Sequence, residues 1–153
     1  MAYIDKTNEL GLMGEKIIQI FLSKNGSVVE PSINKFDNKR DMLCDGKSVE
    51  VKTQIPFIFK NSLTIDVSQV FKCRNVDELY FVTVPSAGKD YKWSGWIFKV
   101  DPKTFVTMDY TTKKGTLMKL IPIDQPSVIP VEKIKDEHIV ELMKYTSSGY
   151  FNA

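Results

Sequence analysis

The sequence predicts an α/β or α+β domain built on a mixed central β-sheet flanked by helices. Three observations carry that prediction: an amphipathic opening helix, an Asp-Gly hairpin, and a near-continuous apolar strand at residues 78–85. With 153 residues, the chain has the size of one domain with its own hydrophobic core, and a single domain spanning residues 1–153 is expected.

Each element has a local cause. From Lys6 to Lys24, Leu10, Met13, Ile17 and Phe21 recur at helical spacing, and Asn25-Gly26 supplies the stop. Ser27 to Glu30 reads as a short strand, followed by a polar loop from Pro31 to Lys39. Two strand-like runs, RDMLC and KSVEVKTQ, flank Asp45-Gly46, a pair whose tolerance of positive φ suits a two-residue hairpin turn. Ile55 to Asp66 reads as extended around a break at Lys60-Asn61-Ser62, and Val67 to Val76 as a short helix. ELYFVTVP (78–85) has the unbroken apolar character of a strand covered on both faces, and YKWSGWIFKV (91–100) is its expected partner across Ser86-Ala87-Gly88. A less regular stretch punctuated by Pro102, Gly115, Pro122, Pro126 and Pro130 leads to a closing helix expected from Val131 to Tyr145.

Composition excludes several classes. No apolar run reaches the roughly 18 residues of a membrane helix, and the amino terminus lacks a basic segment followed by an apolar one, so no membrane partner and an intracellular location are expected. The two cysteines, Cys44 and Cys73, have neither CxxC spacing nor a histidine cluster, and they read as buried free thiols. A formal charge of +2 is too small for bulk attraction to nucleic acid, so any such surface must be local. Lys35, Lys39, Arg40, Lys47, Lys52, Lys60, Lys72 and Arg74 suggest one basic face. Lysine- and asparagine-rich usage points to an AT-rich genome and hence to a phage or mobile-element source.

The hairpin carries the chemistry. With Asp45 and Gly46 as turn residues, antiparallel pairing sets Cys44 beside Lys47, Leu43 beside Ser48, Met42 beside Val49 and Asp41 beside Glu50. Opposed Cβ atoms lie roughly 4.5–5.5 Å apart, where two carboxylates repel. A divalent cation is the natural compensation, and magnesium suits one or two carboxylates with waters left for substrate. Alternation puts Lys52 on the face of Glu50 and sends Val49 and Val51 to the opposite face, where a helix can cover them. Glu-x-Lys alone is uninformative, since about 0.5 chance occurrences are expected in a chain of this length. The register with Asp41 makes it specific. Glu15 adds a fourth acid at the edge of the first helix's apolar band, beside Gly11 and Gly14, whose missing side chains suggest close approach of another element.

In GLMGE (Gly11 to Glu15) and RDMLCDGKSVEVKTQ (Arg40 to Gln54) the chain resembles the PD-(D/E)XK nuclease superfamily, with Arg40 in place of the proline of the literal motif. The resemblance covers about 45 residues. It implies a restriction-endonuclease-like fold with Glu15, Asp41, Glu50 and Lys52 as catalytic residues. It also implies Mg2+, with Mn2+ able to substitute, held by Asp41, Glu50 and the carbonyl of Val51, and a water activated near Lys52. Cleavage would leave 5′-phosphate and 3′-hydroxyl ends, and Gln54 would be an accessory contact to water or DNA. The expected activity is that of a metal-dependent DNA endonuclease, working as a homodimer if both strands are cut; RNA remains an alternative substrate, and a non-cleaving DNA-binding homologue the alternative function.

Other residues have two readings each. Trp93 and Trp96 either pack or stack on unpaired bases, with packing the commoner fate of strand aromatics. His138, far in sequence from the hairpin, reads as a surface histidine. Lys113 and Lys114 mark either a phosphate contact or an ordinary turn.

Overall fold

The computed structural model describes residues 2–31, 42–54, 61–84 and 92–146. The opening segment is helix α1 (Ala2–Lys24), with Leu10, Ile17, Ile18 and Leu22 buried along one side. It ends where Asn25 Nδ2 donates to the Phe21 carbonyl at 2.8 Å, satisfying an acceptor the helix leaves open. Strands β1 (Val29–Pro31), β2 (Met42–Cys44) and β3 (Lys47–Gln54) follow as an antiparallel ribbon. The β2–β3 turn has φ of 51° at Asp45 and 80° at Gly46, the two positive values that a type I′ turn requires. Its register pairs Met42 with Val49, Leu43 with Ser48 and Cys44 with Lys47, as expected from the turn.

From β3 the chain crosses over through β4 (Ser62–Asp66), a 3-10 turn (Val67–Gln69) and helix α2 (Val70–Arg74) to β5 (Glu78–Thr83), which runs parallel to β3. The Asp77 carboxylate fixes the start of that pairing by accepting from the Ser48 amide (2.9 Å) and hydroxyl (3.2 Å). These hydrogen bonds, the backbone one foremost, hold its pKa below the ordinary 3.8. Strand β6 (Trp96–Val100) pairs antiparallel with β5; the hairpin β7 (Met108–Thr111) and β8 (Leu117–Pro122) adds to β4; β9 (Val128–Lys133) returns to β6; and α3 (Asp136–Thr146) packs on α1. The result is a mixed six-stranded sheet, β1-β2-β3-β5-β6-β9, and an antiparallel three-stranded sheet, β4-β8-β7.

The large sheet has two different faces. Val49, Val51, Tyr80, Val82 and Ile97 pack against α1 and Ile134 on one side, whereas Leu79, Phe81, Phe98 and Val100 pack against Leu63, Ile65, Cys73, Val76 and Ile121 on the other. The expected flanking by helices therefore holds for one face; a second sheet and the short α2 cover the other. The cause is visible in β4, where Leu63 and Ile65 alternate inward with strand period. Strand β5, central and apolar on both sides, is buried from Leu79 to Thr83 as its composition predicts.

Other expectations need correction. The proline-punctuated stretch contains β7, β8 and β9, and Thr112 to Thr116 close an ordinary hairpin through Thr112 N to Thr116 O (2.9 Å). Val131 to Lys133 belong to β9, and the last helix starts at Asp136: β-branched Val128, Ile129 and Val131 favour a strand, and Pro130 sits where the β6–β9 register shifts, a position that tolerates a missing N–H. Strand β6 begins at Trp96, after a turn at 92–95. The cysteines are free and buried. Among the described residues no helix is long and apolar enough to cross a membrane. Of the loop expected from Pro31 to Lys39, Pro31 instead closes β1, paired with Met42, and its other residues, the stretch 55–60 and the turn Ser86-Ala87-Gly88 lie outside those described.

Helix α1 meets β3 at Gly14, where a Cβ would lie 1.7 Å from Thr53 Oγ1. Gly14→Ala therefore forces helix and strand apart and should destabilise the protein by about 1–3 kcal/mol in a denaturant titration. Gly11→Ala, with nothing within 4 Å of the added methyl, should leave stability unchanged or raise it by up to about 1 kcal/mol. Equal effects at the two positions would refute the close approach.

Candidate functional site

Strand alternation turns Glu50 and Lys52 away from the helical layer, and the crossover then covers Glu50 until it is 1% exposed. A buried carboxylate demands counter-charge. Lys52 Nζ lies 2.8 Å from Glu50 Oε2, and Lys72 Nζ, arriving from α2, lies 3.3 Å from Oε1. Oε1 nevertheless receives no hydrogen bond of good geometry, so the Lys72 contact acts through charge and leaves a buried oxygen able to accept a further partner. Lys52 is fixed from its other side by donating to Gln69 Oε1 at 2.7 Å.

Glu15 belongs to the same group. The Gly14 contact presses α1 onto β3, and the next residue projects a half-buried carboxyl whose pKa is raised above the ordinary 4.5. Its own desolvation is the main cause, the charge of Glu50 adds to it, and Lys72 opposes both. Helix α1, strand β3 and helix α2 thus bring Glu15, Glu50, Lys52 and Lys72 together.

The other expected site residues fall as follows. Asp41 lies outside the described residues; the observed register stops at Met42↔Val49, one pair before it. The Val51 side chain is buried in the helix-side core. Gln54 shares the face of Glu50, but both ends of its amide bind the Thr64 backbone: Nε2 donates to the carbonyl at 2.7 Å, and Oε1 accepts from the amide at 2.9 Å. It is a strut between the two sheets. Trp93 stacks edge-on against Trp96 and Phe98, with ring centroids 5.3 and 5.5 Å apart, in keeping with packing. His138 is on α3, in the helical layer.

Gln69 and Lys72 are site residues that the sequence alone did not single out, although Lys72 was counted in the basic face. A signal existed: at positions i and i+3 of the short helical segment they share one side, next to the inward-facing Cys73. The strand that they would meet was not legible.

Chemically, a buried acid with two partly exposed ammonium groups and a second acid of raised pKa can hold a hard cation, orient water and offset charge on an oxyanion. Glu50 is the described residue best placed to donate to a metal, through Oε1. Among the described residues no three acid, histidine or cysteine side chains gather as a metal site. A scan against protein-family models finds no match to this chain, and a search of curated proteins finds none.

The raised pKa of Glu15 has a measurable consequence. A carboxyl whose folded pKa exceeds its unfolded one destabilises the fold once ionised; the cost is absent well below 4.5 and complete above the folded value. Glu15→Gln should therefore melt at higher temperature than the wild type at pH 7, and the difference should shrink as pH falls through the raised folded value toward 4.5 and be gone well below it. Equal melting temperatures at neutral pH would remove Glu15 from the charged cluster.

Proposed function

We propose that this chain is a metal-dependent nuclease with a restriction-endonuclease-like fold and a PD-(D/E)XK site, cutting DNA to leave 5′-phosphate and 3′-hydroxyl ends. The observation that carries the reading is the buried Glu50 carboxylate flanked by Lys52 and Lys72 at 2.8 and 3.3 Å, on the strand and face expected from the hairpin. A purely structural role is a poor explanation for so costly a group, because replacing buried ion pairs with apolar residues is often neutral or stabilising.

The donor chemistry fits magnesium: a carboxylate oxygen, Glu50 Oε1, is buried without a hydrogen-bond partner. Glu50 would hold the ion together with Asp41 and the Val51 carbonyl. Such an ion, when bound, supplies Lewis acidity toward a phosphate oxygen and acidifies the attacking water. Lys52, oriented by Gln69, places an ammonium where it can position that water. Lys72 offsets negative charge that grows on the phosphate. Glu15, whose pKa is raised above the ordinary 4.5 chiefly by its burial, adds a second acid beside Glu50. Two copies would be needed to cut both strands of a duplex.

One observation favours a second reading, a DNA-binding homologue that does not cut: Lys52 and Lys72 already neutralise Glu50 without a metal. Cleavage assays on linear duplex, circular single-stranded and branched DNA separate the two. With magnesium or manganese the wild type should cut, EDTA should abolish cutting, and Glu50→Gln or Asp41→Ala should lower the rate by at least about 100-fold. Binding without cutting under every condition would leave the second reading.

A further inference from the structure

Phe71 is 79% exposed, the most exposed large apolar side chain among the described residues, and Val67, one turn earlier in the same helical segment, is 39% exposed. Isolated exposed apolar residues are commonplace and need no explanation. The setting distinguishes this one. Phe71 immediately precedes Lys72, whose ammonium reaches Glu50, and the segment also supplies Gln69 to Lys52. Consecutive helical residues point about 100° apart. One residue therefore enters the charged cluster while its neighbour faces solvent.

The platform is also held in place. Asp66 caps the segment by accepting from Ser68 N at 3.2 Å, Asn75 Nδ2 donates to the Phe71 carbonyl at 2.7 Å, and Cys73 anchors the opposite side in the core. A ring on a fixed backbone loses little freedom when something stacks on it.

We propose that Phe71, backed by Val67, stacks on an unpaired base next to the phosphate drawn in by Lys52 and Lys72, so that the preferred substrate is single-stranded nucleic acid or a junction with unpaired nucleotides. This rests on the nuclease reading and specifies its substrate. In an intact duplex both faces of each base are already stacked on neighbours, so the ring has no partner there. A base free on one face gains the contact. Trp93 and Trp96, for which packing is the commoner expectation, are partly buried against the core between the two sheets.

The experiment measures binding by fluorescence anisotropy in EDTA, so that cutting does not intervene, using a labelled single-stranded oligonucleotide and the duplex of the same sequence. Wild type, Phe71→Ala and Phe71→Trp are compared, each checked for an unchanged melting temperature. Phe71→Ala should weaken single-strand binding about 5- to 150-fold, the range that matches loss of one stacked base. Duplex binding should change little, and Phe71→Trp should retain wild-type affinity. If Phe71→Ala binds the single strand as wild type does, or loses single strand and duplex equally, the stacking proposal is overturned while the nuclease reading stands on its cleavage assay. A wild type that binds neither probe likewise overturns the stacking proposal, and the cleavage assay with magnesium or manganese alone then decides the nuclease reading.

Discussion

The burial of one carboxylate constrains much of this structure. Glu50 lies on a strand that serves two interiors, with Val49 and Val51 committed to the helical layer and Glu50 forced toward the second sheet. A charge there is tolerated only with counter-charge at hand, which requires Lys52 on the same strand face and Lys72 from the crossover. The crossover must therefore pass close over β3, and Gln69, Gln54 and Thr64 form the polar seam that holds it there. On the opposite side, the absence of a side chain at Gly14 lets α1 approach near enough for Glu15 to feel the same charges.

Much of this was legible in sequence because its causes are local. Period 3.6 marks α1, the Asp-Gly pair fixes the hairpin register to the residue, and an unbroken apolar run marks β5 as central. Alternation alone assigned Val49 and Val51 to one face and Glu50 and Lys52 to the other. The misses share a different cause. Strands β7, β8 and β9 are short and partly exposed, Pro122 ends β8 and Pro130 lies inside β9, and the β7–β8 hairpin and β9 are held by partners distant in sequence: β4 with β8, and β6 with β9. Local propensity is a weak guide to such pairing.

The candidate site divides in the same way. Its strand half, Glu50 and Lys52, follows from one hairpin, whereas its helical half, Gln69 and Lys72, depends on where a crossover lands. Gln54 illustrates the limit of reading a face: it points to the expected side, yet its amide serves as a rung between sheets. Position on a strand specifies direction; the neighbour that it meets is set by tertiary packing.

The Asp-Gly turn has a consequence for how the molecule assembles. A two-residue hairpin closes on the order of 1–10 μs from contacts adjacent in the chain, whereas β3 and β5 are parallel neighbours separated by the whole β4–α2 crossover and pair more slowly. Glu50 therefore takes its place on a formed strand while still hydrated, and is withdrawn from water only when the crossover delivers Lys72. The desolvation of the acid and the arrival of its counter-charge are one event, so the folding chain need not pass through a stage with a bare charge enclosed in its interior.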